Sequence, residues 1–149
     1  MLLTVCACRN KKQVNNVEPA TTISGLYLRD VNADAAGTVG TPDTRNDFGG
    51  RTFFGYPNPC NGMLQLYVKL PLDASVTIYT KAVQYAGADA NDVGNQSIFS
   101  EPLTSIGTYS LTSGNNGLQV NTASYLKGYY RFYMVVGSDT LTDNIWVKH

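Results

Sequence analysis

The chain has little of the residue types on which many enzymatic active sites depend. Among 149 residues there is one tryptophan and one histidine, His149, which is the last residue. Chain ends are commonly frayed, whereas a Ser–His or Cys–His pair needs an imidazole held in a fixed position. The sequence therefore disfavours nucleophilic catalysis with a histidine base, and we predict that the protein is not an enzyme.

Cofactor motifs are also scarce. Three cysteines are present, and two of them, Cys6 and Cys8, lie in the first eight residues. A structural zinc site uses four Cys or His ligands, which the rest of the chain does not supply. Glycine-rich loops of the P-loop or dinucleotide-binding type are missing, and the carboxylates are scattered over separate predicted loops. We expect no cofactor.

An excess of charge of one sign is missing too, because eleven basic residues balance eleven acidic ones. Three of the basic residues, Arg9, Lys11 and Lys12, lie within the first twelve positions. The rest of the chain holds the other eight basic residues and all eleven acidic ones, so its formal net charge is near −3. Nucleic-acid binding needs a basic surface and is not expected. The sequence contains no apolar run of about 18 residues, so no membrane-spanning helix is predicted.

The residues that are abundant favour strands and turns. Ten tyrosines and fourteen glycines accompany many Thr, Val, Asn and Ser residues. After the Tyr56–Pro59 turn, the segment Met63–Leu70 alternates apolar and polar residues, which is the period of a half-buried strand. Pro71–Asp73 interrupts this pattern, and Ala74–Thr80 resumes it, with an extension predicted through Tyr85.

Before this stretch we predict one strand, Thr22–Arg29, followed by a turn over Asp30–Gly37 and a short extended segment, Thr38–Gly40. The next ten residues, Thr41–Gly50, contain proline and two glycines and are predicted to be loop.

After Tyr85 a loop over residues 86–96 and weaker strands at Ser97–Ser100 and Ser105–Leu111 are expected. Ser113–Gly117 has the composition of a hairpin turn and precedes a short strand, Leu118–Val120. A final hairpin is predicted, with strands Gly128–Val136 and Leu141–Lys148. Short strands at this spacing are typical of an all-β protein, here an Ig-like or fibronectin-like antiparallel β-sandwich of about 7–9 strands, formed as one domain by residues 22–149.

The amino terminus resembles a bacterial lipobox. Val5-Cys6-Ala7-Cys8 gives an aliphatic residue, two small residues and the cysteine that would be lipidated, Cys8. Residues 1–8 would then be the remnant of a signal peptide, shorter than usual, and residues 9–21 a flexible tether. The alternative is a short amino terminus with two free thiols. Under the lipoprotein interpretation Cys60 stays unpaired, as a small buried or turn residue.

Five segments resemble the C-terminal sorting domains of the type IX secretion system of Bacteroidetes. They are Tyr56–Pro59, Leu64–Leu70, Ala74–Tyr79, Tyr125–Phe132 and the closing Asn144–Lys148. The resemblance covers about the last two-thirds of the chain and implies an Ig-like sandwich recognised by a secretion apparatus.

This sequence departs from the pattern in two respects. An Asp/Asn/Gly-rich insertion follows Tyr85, and only about 45 residues lie between Cys8 and Tyr56, too few for a separate cargo domain.

Two functions from different classes follow. The first is a lipid-anchored, non-catalytic module of the cell envelope, with the membrane as one partner and an envelope protein or a carbohydrate as another. The second is a secretion-targeting domain. The basic residues Arg9, Lys11 and Lys12 differ from the acidic export tags of surface lipoproteins in this phylum, which favours the periplasmic side of the outer membrane over the cell surface.

Two groups of side chains are candidate sites. Asp30, Asn32 and Asp34 place oxygen ligands at alternate positions, as Ca²⁺ loops do. The positions that an EF-hand fills with Gly and Glu hold other residues, so a turn closed by Asx hydrogen bonds is the alternative.

The second group lies in the last hairpin, where Tyr129, Arg131, Tyr133 and Trp146 would share the face opposite the core. These side chains could form a ligand-binding surface that stacks on carbohydrate rings. The alternative is an ordinary aromatic ladder facing solvent.

Overall fold

Strands account for all the regular structure in the residues that the computed structural model describes, 22–87 and 102–149. No helix long and apolar enough to cross a membrane occurs among them. The all-β prediction is confirmed. The strands are β1 Thr22–Ile23, β2 Gly25–Arg29, β3 Ala35–Gly40, β4 Asp47–Phe48, β5 Arg51–Tyr56, β6 Met63–Leu70, β7 Ala74–Tyr85, β8 Thr104–Leu111, β9 Gly114–Asn121, β10 Gly128–Val136 and β11 Asp139–Val147.

Several predictions concern residues outside these ranges. They are the lipidation of Cys8, the tether over residues 9–21, most of the loop over residues 86–96, and the strand Ser97–Ser100.

Two sheets face each other. In the first, the twelve-residue strand β7 pairs with β10, and β10 pairs with β11, both antiparallel. The other edge of β7 is shared by β8, antiparallel, and by the two residues of β1, which are parallel. The second sheet has the order β4-β5-β6-β9 and is antiparallel throughout. Eleven strand segments in the described ranges exceed the predicted 7–9, mainly because β1 and β4 are only two residues long.

The main core lies between these two sheets and follows from strand alternation. On β6, Leu64, Leu66, Val68 and Leu70 are buried, as the apolar period predicted. Opposite them, β10 contributes an inward row of apolar and aromatic side chains, Tyr130, Phe132, Met134 and Val136. Burial of these rows is the main source of stability for the sandwich.

A hairpin formed by β2 and β3 covers part of the outer face of the first sheet. Leu26 of the hairpin and Ile23 of β1 are buried against Val83 and Tyr129, forming a second, smaller core. The first sheet is therefore covered on both faces over this part of its area.

Two predicted turns are corrected. The turn after β2 ends at Asp34, because Ala35–Gly40 pairs with β2, with a register shift at Leu28/Arg29. The predicted turn Ser113–Gly117 is shorter than expected, since β9 begins at Gly114. Asn and Gly residues that signal a turn by composition are here held extended by eight pairing positions with β6. Tertiary pairing overrides the local preference.

The side chain of Asn58 joins three parts of the fold. Its amide nitrogen donates to the carbonyl oxygens of Tyr27, at 2.6 Å, and of Asn144, at 2.8 Å. Its amide oxygen accepts from the Trp146 backbone N–H at 2.9 Å. The Asn58 backbone also exchanges two hydrogen bonds with Arg29. Asn58 lies between two cis proline peptides and is almost fully buried. It thereby links β2 to β11.

Loop backbone closes the remaining edge of β11. Cys60 N–H donates to the Trp146 carbonyl and the Cys60 carbonyl accepts from Lys148, both at 2.9 Å. Farther along the strand, Thr142 N–H donates to the Arg45 carbonyl at 3.0 Å. These contacts occupy groups that would otherwise be open to pairing with another chain.

We expect Asn58→Ala to lower the free energy of unfolding by about 3 kcal/mol or more, because two carbonyls and one N–H lose their buried partner. Denaturant titration followed by circular dichroism measures this change. Asn61→Ala is the matched control, since Asn61 is exposed and its side chain makes only a 3.4 Å contact with His149. It should change stability by less than about 0.5 kcal/mol. Equal effects of the two substitutions would contradict the role given to Asn58.

Candidate functional site

Ionic side chains meet where the β2–β3 hairpin passes the edge of the sandwich. Arg29 Nη1 lies 3.0 Å from Asp143 Oδ2, and the Asp143 side chain is fully buried. The same carboxylate oxygen accepts from the Gly55 backbone N–H at 2.9 Å. A Cβ atom at position 55 would lie 2.7 Å from Ile145 Cδ1 and 3.1 Å from Leu64 Cδ1, so a side chain there would force these buried side chains to shift. Glycine therefore allows β5 and β11 to approach closely at this point.

The environment of Asp143 alters its acidity. Burial raises the pKa of this carboxyl above its ordinary value of 3.8, while Arg29 and the Gly55 N–H act in the opposite direction. The loss of hydration of the charged form has the larger effect on the pKa, because the Asp143 side chain has no contact with solvent.

A second polar cluster lies on the opposite face of β11, since neighbouring residues of a strand point to opposite sides. The Asn144 amide nitrogen donates to the Gly25 carbonyl and to Asp43 Oδ1, both at 2.7 Å. Arg131 donates through Nε to Asn144 Oδ1 and pairs through Nη2 with Asp43 Oδ1, both at 2.8 Å. This cluster fastens the start of β2 and the loop before β4 to the outer face of the first sheet.

A cleft of about 560 Å³ opens between the hairpin, the loop before β4, and β5. The guanidinium of Arg29 lies within it, 4.6 Å from the centre of the Phe54 ring and 5.5 Å from that of Tyr27. Such distances are those of cation–π contacts. The cleft is lined by Tyr27, Leu28, Arg29, Ala33, Ala35, Thr44, Arg45, Asn46, Asp47, Thr52 and Phe54. It combines aromatic walls with amide, hydroxyl and charged groups, a mixture suited to binding a polar ligand.

The predicted aromatic surface lies elsewhere and is covered. Tyr129 and Tyr133 are 2% and 3% exposed, and Trp146 stacks on Tyr129 with ring centres 5.5 Å apart. Arg131 is held in the Asn144 cluster described above. The expectation of an open face is corrected, because the β2–β3 hairpin and β1 pack on this side of the sheet.

The three residues considered for Ca²⁺ form a turn closed by their own backbone. Asp30 Oδ1 accepts from the N–H groups of Asn32 and Asp34, at 2.8 and 3.0 Å. Ala33 adopts the left-handed conformation with φ of 70°. This is the Asx-turn arrangement, and in the part of the chain that the structure describes no cluster of His, Cys, Asp and Glu is positioned to hold a metal.

Cys60 is buried in the main core, as its predicted role requires. Its sulfur lies 3.7 Å from Thr122 Oγ1, and burial raises the pKa of the thiol. A thiol in these surroundings stays protonated and unreactive at neutral pH.

Comparison with known proteins adds no identification. No protein-family model, curated protein or solved structure was found to match the chain.

The raised pKa of Asp143 predicts a pH dependence of stability. At a pH between 3.8 and the raised pKa of Asp143 in the folded state, this carboxyl holds a proton in the folded chain that it releases in the unfolded chain. The contribution of this group to the free energy of unfolding is therefore complete below pH 3.8 and is lost as the pH rises through the folded pKa. Asp143→Asn cannot titrate and serves as the reference. We expect the stability of the wild type relative to this variant to decline over that window in denaturant titrations, and an increase would contradict the assignment.

Proposed function

We propose that the protein is a lipid-anchored, non-catalytic β-sandwich of the cell envelope that acts as a structural or interaction module. Cys8 would carry the lipid, residues 9–21 would form the tether, and the described strands would form the module. This proposal places the protein at the outer membrane, with the periplasmic side preferred because of the basic residues after Cys8.

One observation carries the non-catalytic part of the proposal. The buried ionisable and amide side chains, which would be the first candidates for catalysis, are used to attach chain segments to one another. Asp143 binds Arg29 and the Gly55 backbone, and Asn144 binds Gly25 and Asp43. Groups held in this way stabilise a particular arrangement of strands, and a role in proton transfer would require access to a substrate.

The cleft beside β5 supports an interaction role. Its rings and polar groups lie at the surface, with Tyr27 40% exposed, while the hydrogen bonds beneath it keep its walls in place. A binding surface that is already ordered loses little entropy when a ligand binds.

The lipid anchor is tested by the intact mass of the mature protein isolated from its native membrane fraction. We expect a chain that begins at Cys8 and carries diacylglyceryl and acyl groups. The Cys8→Ala variant should lack the added mass and leave the membrane fraction. An unmodified Cys8 in membrane-associated wild-type protein would overturn the anchor.

The alternative is an Ig-like sorting domain of the type IX secretion system. The resemblance lies in the five segments given above, among them Tyr56–Pro59, Leu64–Leu70 and Tyr125–Phe132. A sorting domain should be separable from what precedes it. Here Asn58, which lies in the first of these segments, bonds to Tyr27 upstream, and Asp143 bonds to Arg29. This dependence on upstream strands favours the envelope module.

A fragment covering residues 51–149 distinguishes the two proposals. We expect it not to unfold cooperatively, because it lacks the hairpin that covers Tyr129, the ion-pair partner Arg29 of Asp143, and the Tyr27 carbonyl that Asn58 binds. A fragment covering residues 22–149 should show one cooperative transition in the same thermal scan. A cooperative transition in the shorter fragment would instead favour the sorting domain.

A further inference from the structure

Strand β9 forms an edge of the second sheet that the other described strands leave open. It pairs with β6 through eight consecutive residues without a register shift, and it contains neither a charged residue nor a proline. Proteins usually protect long, regular edges with charges, prolines or bulges, because an open edge pairs readily with another strand. Strand β9 has none of these protections.

The edges of the other described strands are shorter or protected. Strands β1 and β4 are two residues long. The pairing of β8 with β7 skips Ile106, and that of β3 with β2 skips Ala36, so both of these edge strands carry a bulge. Backbone groups of Cys60 and Arg45 close the edge of β11. The contrast marks β9 as a surface suited to pairing with a further strand.

The backbone of β9 turns half of its hydrogen-bonding groups to the open edge. Thr122 N–H donates to the Gly62 carbonyl at 2.7 Å, on the side of β6. In an antiparallel pair, successive residues bond alternately to the neighbouring strand and point away from it. The residues of β9 whose N–H and C=O groups point away from β6 are therefore Asn115, Gly117, Gln119 and Asn121.

The apolar core is incompletely covered on this side of the sandwich. Leu118 of β9 and three residues of β8, Ile106, Tyr109 and Leu111, pack against the main core but remain half-buried. Leu118 lies on the core-facing side of β9, as the buried Val120 does. A strand added beyond β9 would remove more of the Leu118 side chain from water, which favours the addition.

We propose that β9 pairs with β9 of a second copy of the chain, antiparallel and about a two-fold axis. One register places Leu118 opposite Leu118 of the second copy. It also places Asn115 opposite Asn121 and Gly117 opposite Gln119, so the N–H and C=O groups at the two open edges bond to each other. The two Leu118 residues then form a non-hydrogen-bonded pair, in which side chains lie closest. This inference is independent of the lipid anchor.

The strand is self-complementary in this register. Every residue from Asn115 to Asn121 has a partner, and core-facing residues meet core-facing residues, so the sheet continues into the second copy. The two strands carry no charges that would repel each other. A Cβ atom added at Gly117 would meet no heavy atom within 4 Å, so the Gln119 side chain of the second copy has space opposite it.

Sedimentation velocity of the full chain over a range of protein concentrations tests the dimer. We expect the wild type to change from monomer to dimer as its concentration rises, and Gln119→Pro to remain a monomer. Proline removes the N–H that points to the open edge and leaves the hydrogen bonds to β6 in place, so the folded monomer should be retained in circular dichroism. Gln119→Ala is the matched control, because it keeps this N–H and should dimerise as the wild type does.

Oxidative cross-linking tests the register without a change in the backbone. In a chain that carries Cys6→Ser and Cys8→Ser, Leu118→Cys should form a disulfide-linked dimer on a non-reducing gel. The two Cα atoms at this position would be about 4.5 Å apart, which a disulfide can span. Asn115→Cys is the matched control, since the same residue of the second copy would lie about 20 Å away along the strand.

Three results would overturn the proposal. The first is a wild type that sediments as a monomer at every concentration; slow hydrogen exchange at Gly117 and Gln119 in that monomer would assign the edge to another part of the same chain. The second is a dimer that Gln119→Pro leaves intact, which would place the interface elsewhere. The third is equal cross-linking of Leu118→Cys and Asn115→Cys, which would exclude this register.

Discussion

The buried amide of Asn58 is the interaction on which the arrangement of the strands depends. It satisfies two carbonyls and one N–H at a place where β2, the proline-containing turn and β11 meet. Asn58 itself is almost fully buried, so removal of its side chain would leave these backbone groups without the partner that the fold provides. Arg29–Asp143 on one face of β11 and the Asn144 cluster on the other reinforce the same junction. Hydrophobic burial stabilises both sheets, while this polar junction determines how the hairpin is seated on them.

Strand alternation identified most of the sandwich from the sequence. The limits of Met63–Leu70 and the extension of β7 to Tyr85 were predicted correctly, because an apolar period of two has one physical interpretation when a single face is buried. The same alternation on β10 correctly placed the Tyr130 side chain on the core face of the sheet and the Tyr129 side chain on the opposite face. It could not reveal that Tyr129 is also buried, since the hairpin that covers it lies about a hundred residues earlier in the chain.

The polar junction and the candidate sites were harder to predict. Asp143 interrupts the inward apolar row of Leu141, Ile145 and Val147, and that interruption is the sequence signal of a buried polar group. The partners of Asp143 and Asn144 are distant in sequence, Gly25 being 119 residues from Asn144, and no local pattern encodes such pairs. The composition around Gly117 predicts a turn, whereas pairing with β6 holds this residue in strand β9. The aromatic surface was expected on the last hairpin, where Tyr129 and Tyr133 are in fact almost fully buried.

The long-range closure of the hairpin has a consequence for the order of folding. The Gly25 carbonyl and the Arg29 guanidinium find their side-chain partners, Asn144 and Asp143, on β11, the last described strand. During synthesis, the β2–β3 hairpin can therefore be fully attached to the sandwich only after β11 has been made. Contacts of such sequence separation make folding slow. The β2–β3 hairpin can pair locally at an early stage, but its side-chain attachments to the sandwich require the last described strand.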